Sequence, residues 1–189
     1  MRIIKRKGPV NNLSYPIRDK RVSIRSLGEG DLEDLYALET DVEVKRYLGG
    51  PIQRPRDEWL NLLRAKLGAE NCPLIIELNE DGSFVGRASF AKTMLQTTSH
   101  ATPLLEGWKI EVLIGRNFWS RGFGNEVANS LIKVAFEFQD VTSIVSVVHP
   151  ENQASLRLMT ALGFENLGTK ISSSLDHGHV VFHLERPID

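Results

Sequence analysis

The 189-residue sequence predicts a mixed α/β domain of the α+β kind. We expect about seven mostly antiparallel strands, helices on both faces and a central β-α-β unit. Three observations carry that expectation. The chain is 41% hydrophobic and 25% charged, a balance that supports one sizeable core. A strand-like run, a long amphipathic helix and a second strand-like run occupy 108–148, an order that gives parallel strands joined by a right-handed crossover. Ahead of them, PLIIELNEDGSFVGRASF folds back on itself around Asp81-Gly82, a pair suited to a hairpin turn.

In chain order, VSIRSL (22–27) alternates as a strand does. GEGDLEDLYALE follows, with Asp31 placed to cap a helix whose Leu32, Leu35 and Leu38 recur every third residue. A short helix over Val42 to Leu48 is stopped by Gly49, Gly50 and Pro51. The helix expected over Arg56 to Leu67 gathers Trp59, Leu60, Leu63 and Leu67 on one face. TTSHATP (97–103) reads as a loop and WKIEVLI (108–114) as the next strand. Beyond Gly122, the positions of Val127, Leu131, Val134, Ala135 and Phe138 form one helical stripe. TSIVSVV (142–148) is again a strand, and QASLRLMTAL a short helix with Ala154, Leu158, Ala161 and Leu162 inward. Strands near 164–170 and 179–184 complete the chain.

Charge is unevenly spread. Residues 1–21 hold seven cations against Asp19, a net of +6, which leaves −7 for the remainder of a chain that totals −1. We therefore expect a basic N-terminal arm over 1–20 and a single domain over 21–189, the arm being solvated or meeting an acidic or RNA-rich partner. The near-neutral total argues against a protein devoted to coating nucleic acid. No apolar run approaches the roughly 18 to 20 residues that cross a bilayer, and the start MRIIKRKGPV leads into no signal-like segment. The expected location is the cytoplasm, with no membrane partner, as a monomer or homodimer. A lone cysteine, Cys72, excludes an internal disulfide and a cysteine-based zinc site, and reads as a small buried filler.

The stretch GRNFWSRGFGNEVANSLIKVAFEF (115–138) carries the chemistry. Gly122 and Gly124 let the backbone turn tightly at a helix start, where N–H groups and the dipole favour an anion. Arg116 and Arg121 add cations suited to phosphate. A nucleotide P-loop string is absent, and Gly122-Phe123-Gly124-Asn125-Glu126-Val127 lacks the third glycine of a dinucleotide fingerprint. The glycine pair by itself also fits a plain loop ahead of a packed helix.

Here the residues resemble a known family. Trp119-Ser120-Arg121-Gly122-Phe123-Gly124 is similar to the acetyl-CoA pyrophosphate loop of the GNAT superfamily of N-acetyltransferases. With Trp119 and Glu126 it looks like the branch that contains ribosomal-protein N-terminal acetyltransferases and related small-molecule enzymes. HPENQASLRLMTALGFENLG matches the family's second motif through Asn152, Ser155, Leu162, Gly163 and Phe164. The resemblance spans roughly 20–187.

What it implies is acetyl transfer from acetyl-CoA directly to a primary amine, on a protein N-terminus or a small molecule. A non-catalytic acyl-CoA-binding or sensor domain of the same fold is the alternative. The coenzyme residues it implies are Val112, Leu113, Ile114, Arg116, Arg121, Gly122, Phe123, Gly124, Asn125, Asn152 and Ser155. The strand over 108–114 is expected to pair with the pantetheine and polarise the thioester carbonyl through a backbone N–H, a donor worth about 3 kcal/mol in oxyanion sites. Glu111, an acid in an apolar strand, is either the leading candidate for base or amine anchor or a surface-facing or salt-bridged residue, with Glu106 and Glu77 behind it as candidates and His149 a further one. At the position where many members place a tyrosine stands Met159, which cannot donate a proton. Arg157 is either a phosphate contact or a solvated residue, and Trp59 and Trp108 either wall the acceptor pocket or belong to the core. His177, His179 and His183 share strand parity, but no acid or cysteine clusters with them, so no metal is expected.

Overall fold

The structure, a computed structural model, describes residues 16–69, 72–96, 104–138, 140–172 and 175–187. Residues 1–15 of the basic arm and the 97–103 loop lie outside them. The strands are β1 (Ile17–Arg18), β2 (Val22–Ser26), β3 (Leu74–Leu78), β4 (Phe84–Gln96), β5 (Leu104–Ile114), β6 (Ser143–Val148), β7 (Glu165–Ser172) and β8 (Leu175–Glu185). The helices are α1 (Leu32–Thr40), α2 (Val42–Lys45), α3 (Arg56–Arg64), α4 (Phe123–Phe136) and α5 (Gln153–Ala161). Among the described residues, eight strands hydrogen-bond into one mixed sheet in the order β1-β2-β3-β4-β5-β6-β8-β7. That is one strand more than the sequence suggests, because Ile17 and Arg18, expected in the arm, pair with Ile24 and Ser23.

The chain divides into two compact units whose boundaries fall inside β4, β5 and α4. One comprises residues 16–89 with Glu111–Ser130, and it holds α1 to α3. Its core is Leu27, Leu32, Leu35, Leu38, Val44, Leu60, Ile75 and Leu113, with Tyr36, Trp59, Leu63 and Cys72 packed against it. Each such aliphatic side chain contributes about 1.5–3 kcal/mol on burial, which is what orients α1 and α3. The three-residue spacing of α1 works as expected: Leu32, Leu35 and Leu38 are buried while Glu33 and Asp34 face water. Asp31 stands at the N-cap of α1, but its carboxylate does not cap that helix. It accepts instead from the Gly28 N–H at 2.8 Å and from two Arg25 nitrogens at 2.7 Å. Two charge-assisted bonds from the Arg25 guanidinium fork outweigh a bond to a helix N–H. Shorter than expected, α2 ends at Lys45 and α3 at Arg64.

In the hairpin, β3 and β4 pair antiparallel, with Ile75 opposite Arg87 and Ile76 opposite Gly86 before the register shifts at Glu77. Gly86 is required: a Cβ there would lie 2.0 Å from the Leu113 carbonyl oxygen of β5.

The other unit comprises Phe90–Ile110 and 131–187. Trp108 and Lys109 of β5 pair in parallel with Ile144 and Val145 of β6, as the β-α-β reading requires. β6 then pairs antiparallel with β8, from Ser143 opposite Glu185 to Val148 opposite Val180. Leu95, Leu105, Val145 and Val181 form a buried cluster, and Trp108, itself buried, stacks on Phe90 at 4.8 Å. Trp108 is thus a core residue. On α5 the expected inward stripe is corrected: Ala154 and Ala161 are exposed, Leu158 is half-buried and Met159 is buried. Turning the helix this way buries the longer thioether chain in place of two methyl groups and removes more apolar area from water.

Candidate active site

β5 ends at Ile114, and the chain passes through Gly115 and a 3-10 turn over Arg116–Phe118 into α4. The turn is held from both sides. The Gly115 N–H donates to the Val85 carbonyl at 2.8 Å, and the Trp119 indole N–H donates to the Ile114 carbonyl at 2.7 Å. Trp119 therefore locks the loop back onto the strand that precedes it. Ser120 (φ 58°) and Gly122 (φ 81°) both take left-handed backbone conformations, and Gly122 does so without the steric cost of a Cβ. The guanidinium of Arg121 lies over the rings of Phe118 and Phe123, at 5.6 and 5.1 Å, and stays exposed. Beyond the turn, the first N–H groups of α4 have no partner within their own helix, as geometry dictates.

A residue that sequence reasoning left in the basic arm's charge count organises this turn. Arg21, just ahead of β2, donates from its backbone N–H to Glu126 Oε1 at 2.7 Å and from Nε to Glu126 Oε2 at 2.8 Å. Its Nη1 donates to the Arg121 carbonyl at 2.9 Å, and its guanidinium stacks over Phe123 at 4.3 Å. Glu126, noted in the sequence only as the last letter of a motif, is the first-turn acid of α4 and the other half of this clamp. Contacts across 105 positions leave no local pattern that points to Arg21.

The remaining coenzyme candidates fall as follows. Val112, Leu113 and Ile114 form the end of β5, with Leu113 buried. Arg116 is exposed, 3.8 Å from Asp41, and Asn125 accepts from Asn129 through its carbonyl at 2.9 Å. Within the other unit, Asn152 caps α5 by accepting the Ser155 N–H at 3.1 Å, and Arg157 faces water. His149 accepts the Glu151 N–H through Nδ1 and meets His179 edge to face at 5.5 Å. The side chain of His177 lies outside the described residues.

Glu111 belongs to a line of alternating charges within the α1–α3 unit. Arg87 of β4 donates to Glu111 Oε1 at 2.8 Å and also to Glu39 of α1, which accepts from Lys45 Nζ at 2.5 Å. Burial works against the Arg87 charge, but Glu111 and Glu39 outweigh it and hold the guanidinium above its ordinary pKa. Glu39 and Arg87 also line a cavity of about 310 Å³, whose other walls include Leu35, Ile52, Trp59 and Leu63. Trp59 is thus both a cavity wall and a neighbour of the core. Glu77 is held by Arg25 at 2.5 Å, and Glu106 is exposed.

A mixed sheet with a β-α-β crossover, and a glycine- and arginine-bearing turn between β5 and α4, define the class: a CoA-dependent acyltransferase. The acetyltransferase (GNAT) domain family matches residues 21–165, and the chain belongs to it. An uncharacterized N-acetyltransferase of Bacillus licheniformis is 26% identical over 79% of this chain and 82% of its own length. A GNAT-family acetyltransferase structure from Bacillus anthracis shares the fold, with a TM-score of 0.71 at 20% identity over 89% of this chain and 96% of that one. The spermidine N-acetyltransferase of Vibrio cholerae, solved with CoA and spermine, does so with a TM-score of 0.69 at 14% identity over 88% and 96%. The protein is accordingly an acetyltransferase, and its cosubstrate is acetyl-CoA. Among the described residues no helix is long and apolar enough to cross a membrane.

Proposed function

We propose that this enzyme moves the acetyl group of acetyl-CoA directly to a primary amine, with the coenzyme's pyrophosphate held at the turn ahead of α4. The observation that carries the reading is that turn: the Arg121 cation and a left-handed Gly122 meet at a helix start where backbone N–H groups and the dipole favour anionic oxygens. Arg116, Arg121, Gly122, Phe123, Gly124 and Asn125 are assigned to the pyrophosphate. Val112 to Ile114 are assigned to the pantetheine, and Asn152 and Ser155 to the coenzyme through the second motif.

Attack by a neutral amine nitrogen on the thioester carbon forms the N–C bond and, on collapse, breaks the C–S bond. The ammonium proton then passes to the departing thiolate, through water, since Met159 is buried and has no proton to give. Glu111, held by Arg87, is suited to accept a hydrogen bond from the acceptor amine and so to orient it. The likeness of the turn to a branch that holds both ribosomal-protein N-terminal acetyltransferases and small-molecule enzymes supports either acceptor, and the small-molecule enzymes among the structural neighbours support a free amine. A basic arm over 1–20 would suit an acidic or RNA-rich partner.

Calorimetric titration with acetyl-CoA, followed by thiol-release assays against peptides and small amines, tests the reading. Tight binding and acceptor-dependent thiol release are expected. Failure to bind acetyl-CoA would overturn it, and binding without turnover would make the chain an acyl-CoA sensor.

A further inference from the structure

The cavity of the α1–α3 unit has a chemical character that amine acetylation does not by itself demand. Its wall is apolar, built from Leu35 of α1, Ile52, and Trp59 and Leu63 of α3. Trp59 is steadied by Tyr36, whose ring centre lies 5.4 Å away. The charges that reach the cavity, Glu39 and Arg87, already have partners: Glu39 with Lys45 and Arg87, and Arg87 with Glu111 as well. Two cations and two anions cancel, and the side chains of Glu39, Lys45 and Arg87 are 8%, 10% and 12% exposed. An incoming cation that took the place of Lys45 or Arg87 would leave that buried cation without its carboxylate, a costly exchange.

Resting on the amine-acetyltransferase reading, we infer that this cavity is the acceptor subsite and that it takes an amine carried on an apolar, uncharged body. A volume of about 310 Å³ is at the small end for ligand sites and matches a single aliphatic or aromatic group. Such a group would gain from burial against Trp59, Leu35 and Leu63. A polyamine or aminoglycoside would instead bring several charges to a place where Glu39 and Glu111 are already matched by Lys45 and Arg87. Arg87 links the cavity to Glu111 on β5, the strand that leads into the Arg121 turn of the same unit. On this inference the acceptor amine lies toward Glu111, which is joined to the cavity wall through Arg87. This separates the chain from neighbours solved with spermine or ribostamycin, both polycationic.

The test uses the full chain with acetyl-CoA and compares thiol release with 2-phenylethylamine and leucinamide against spermidine and kanamycin. The apolar amines are expected to show kcat/KM at least about tenfold higher, the range that pocket chemistry of this kind supports. Trp59→Ala is expected to raise KM for the apolar acceptor roughly tenfold and to leave KM for acetyl-CoA within about twofold. Should that variant fold poorly, Leu63→Glu, which adds an unpaired carboxylate at the wall, is expected to narrow the preference over spermidine. A preference for spermidine or kanamycin, equal shifts in both KM values, or no response to Leu63→Glu would each overturn the inference. A chain that fails to bind acetyl-CoA, or binds it and acetylates no amine, would instead bring down the functional reading beneath it.

Discussion

Arg21 reaches three groups at the start of α4 at once, namely both Glu126 oxygens, the Arg121 carbonyl and the Phe123 ring. It thereby sets where the backbone of the proposed pyrophosphate turn lies, while Arg121 supplies the exposed charge. Arg121→Ala is expected to raise KM for acetyl-CoA about tenfold or more, since hydrogen bonds to charged groups are worth about 1.5–3 kcal/mol. Arg21→Ala should raise the same KM by loosening the turn, and Arg21→Lys should restore little of it, because an ammonium cannot bond to Glu126 and a carbonyl in the fork geometry of guanidinium. Steady-state kinetics with acetyl-CoA varied would check both, and unchanged KM values would refute the clamp. The cost of a methyl group at Gly86 is of a different kind: Gly86→Ala would drive Cβ to 2.0 Å from the Leu113 carbonyl oxygen. It should lower stability by about 3 kcal/mol, the upper range for overpacking, as read from urea denaturation. Gly122, Arg121 and Glu126 were visible in the sequence as a motif, whereas Gly86 and Arg21 were not, because what they meet is set by residues far along the chain.

Elements were legible where periodicity is strong. The stripe of α1 and the hairpin around Asp81-Gly82 fold as their patterns require, since the apolar face decides which side is buried. α5 is the counterexample, because its small alanines and its methionine compete for the same face and volume settles the outcome. The charge line Lys45, Glu39, Arg87 and Glu111 draws on α2, α1, β4 and β5, so no single element discloses it. Glu39→Gln should cost about 3–5 kcal/mol, because it leaves Lys45 and Arg87 buried beside a neutral amide. Thermal or urea unfolding would measure it, and a loss below about 1 kcal/mol would show that water reaches these groups. Cys72, expected as a buried filler, is half-buried: it packs against the edge of the α1–α3 core, and burial pushes its thiol up.

At the scale of the whole molecule, stability should fall in acid for a reason that can be assigned. Burial alone would raise the Asp31 carboxyl, but Arg25 and the Gly28 N–H outweigh it and hold it below the ordinary aspartate value of 3.8. A depressed carboxylate stabilises the fold above that value, and the contribution is lost as pH falls through the lower folded one. Asp31→Asn should therefore be less stable than the parent at pH 7, with the gap shrinking below about pH 4. Denaturation curves across that range would reveal a constant gap if Asp31 contributed nothing through its charge. By itself the sequence determined the fold class, the β-α-β unit and the acetyl-CoA family, because periodicity, turn residues and a helix-entrance motif are local properties of the chain. Only the tertiary structure decided that Arg21 braces the turn, that Glu111 is held by Arg87, and that Trp59 walls a neutral cavity. Each of these depends on side chains brought together from distant segments, and the free energy of such contacts exists only once the chain has folded.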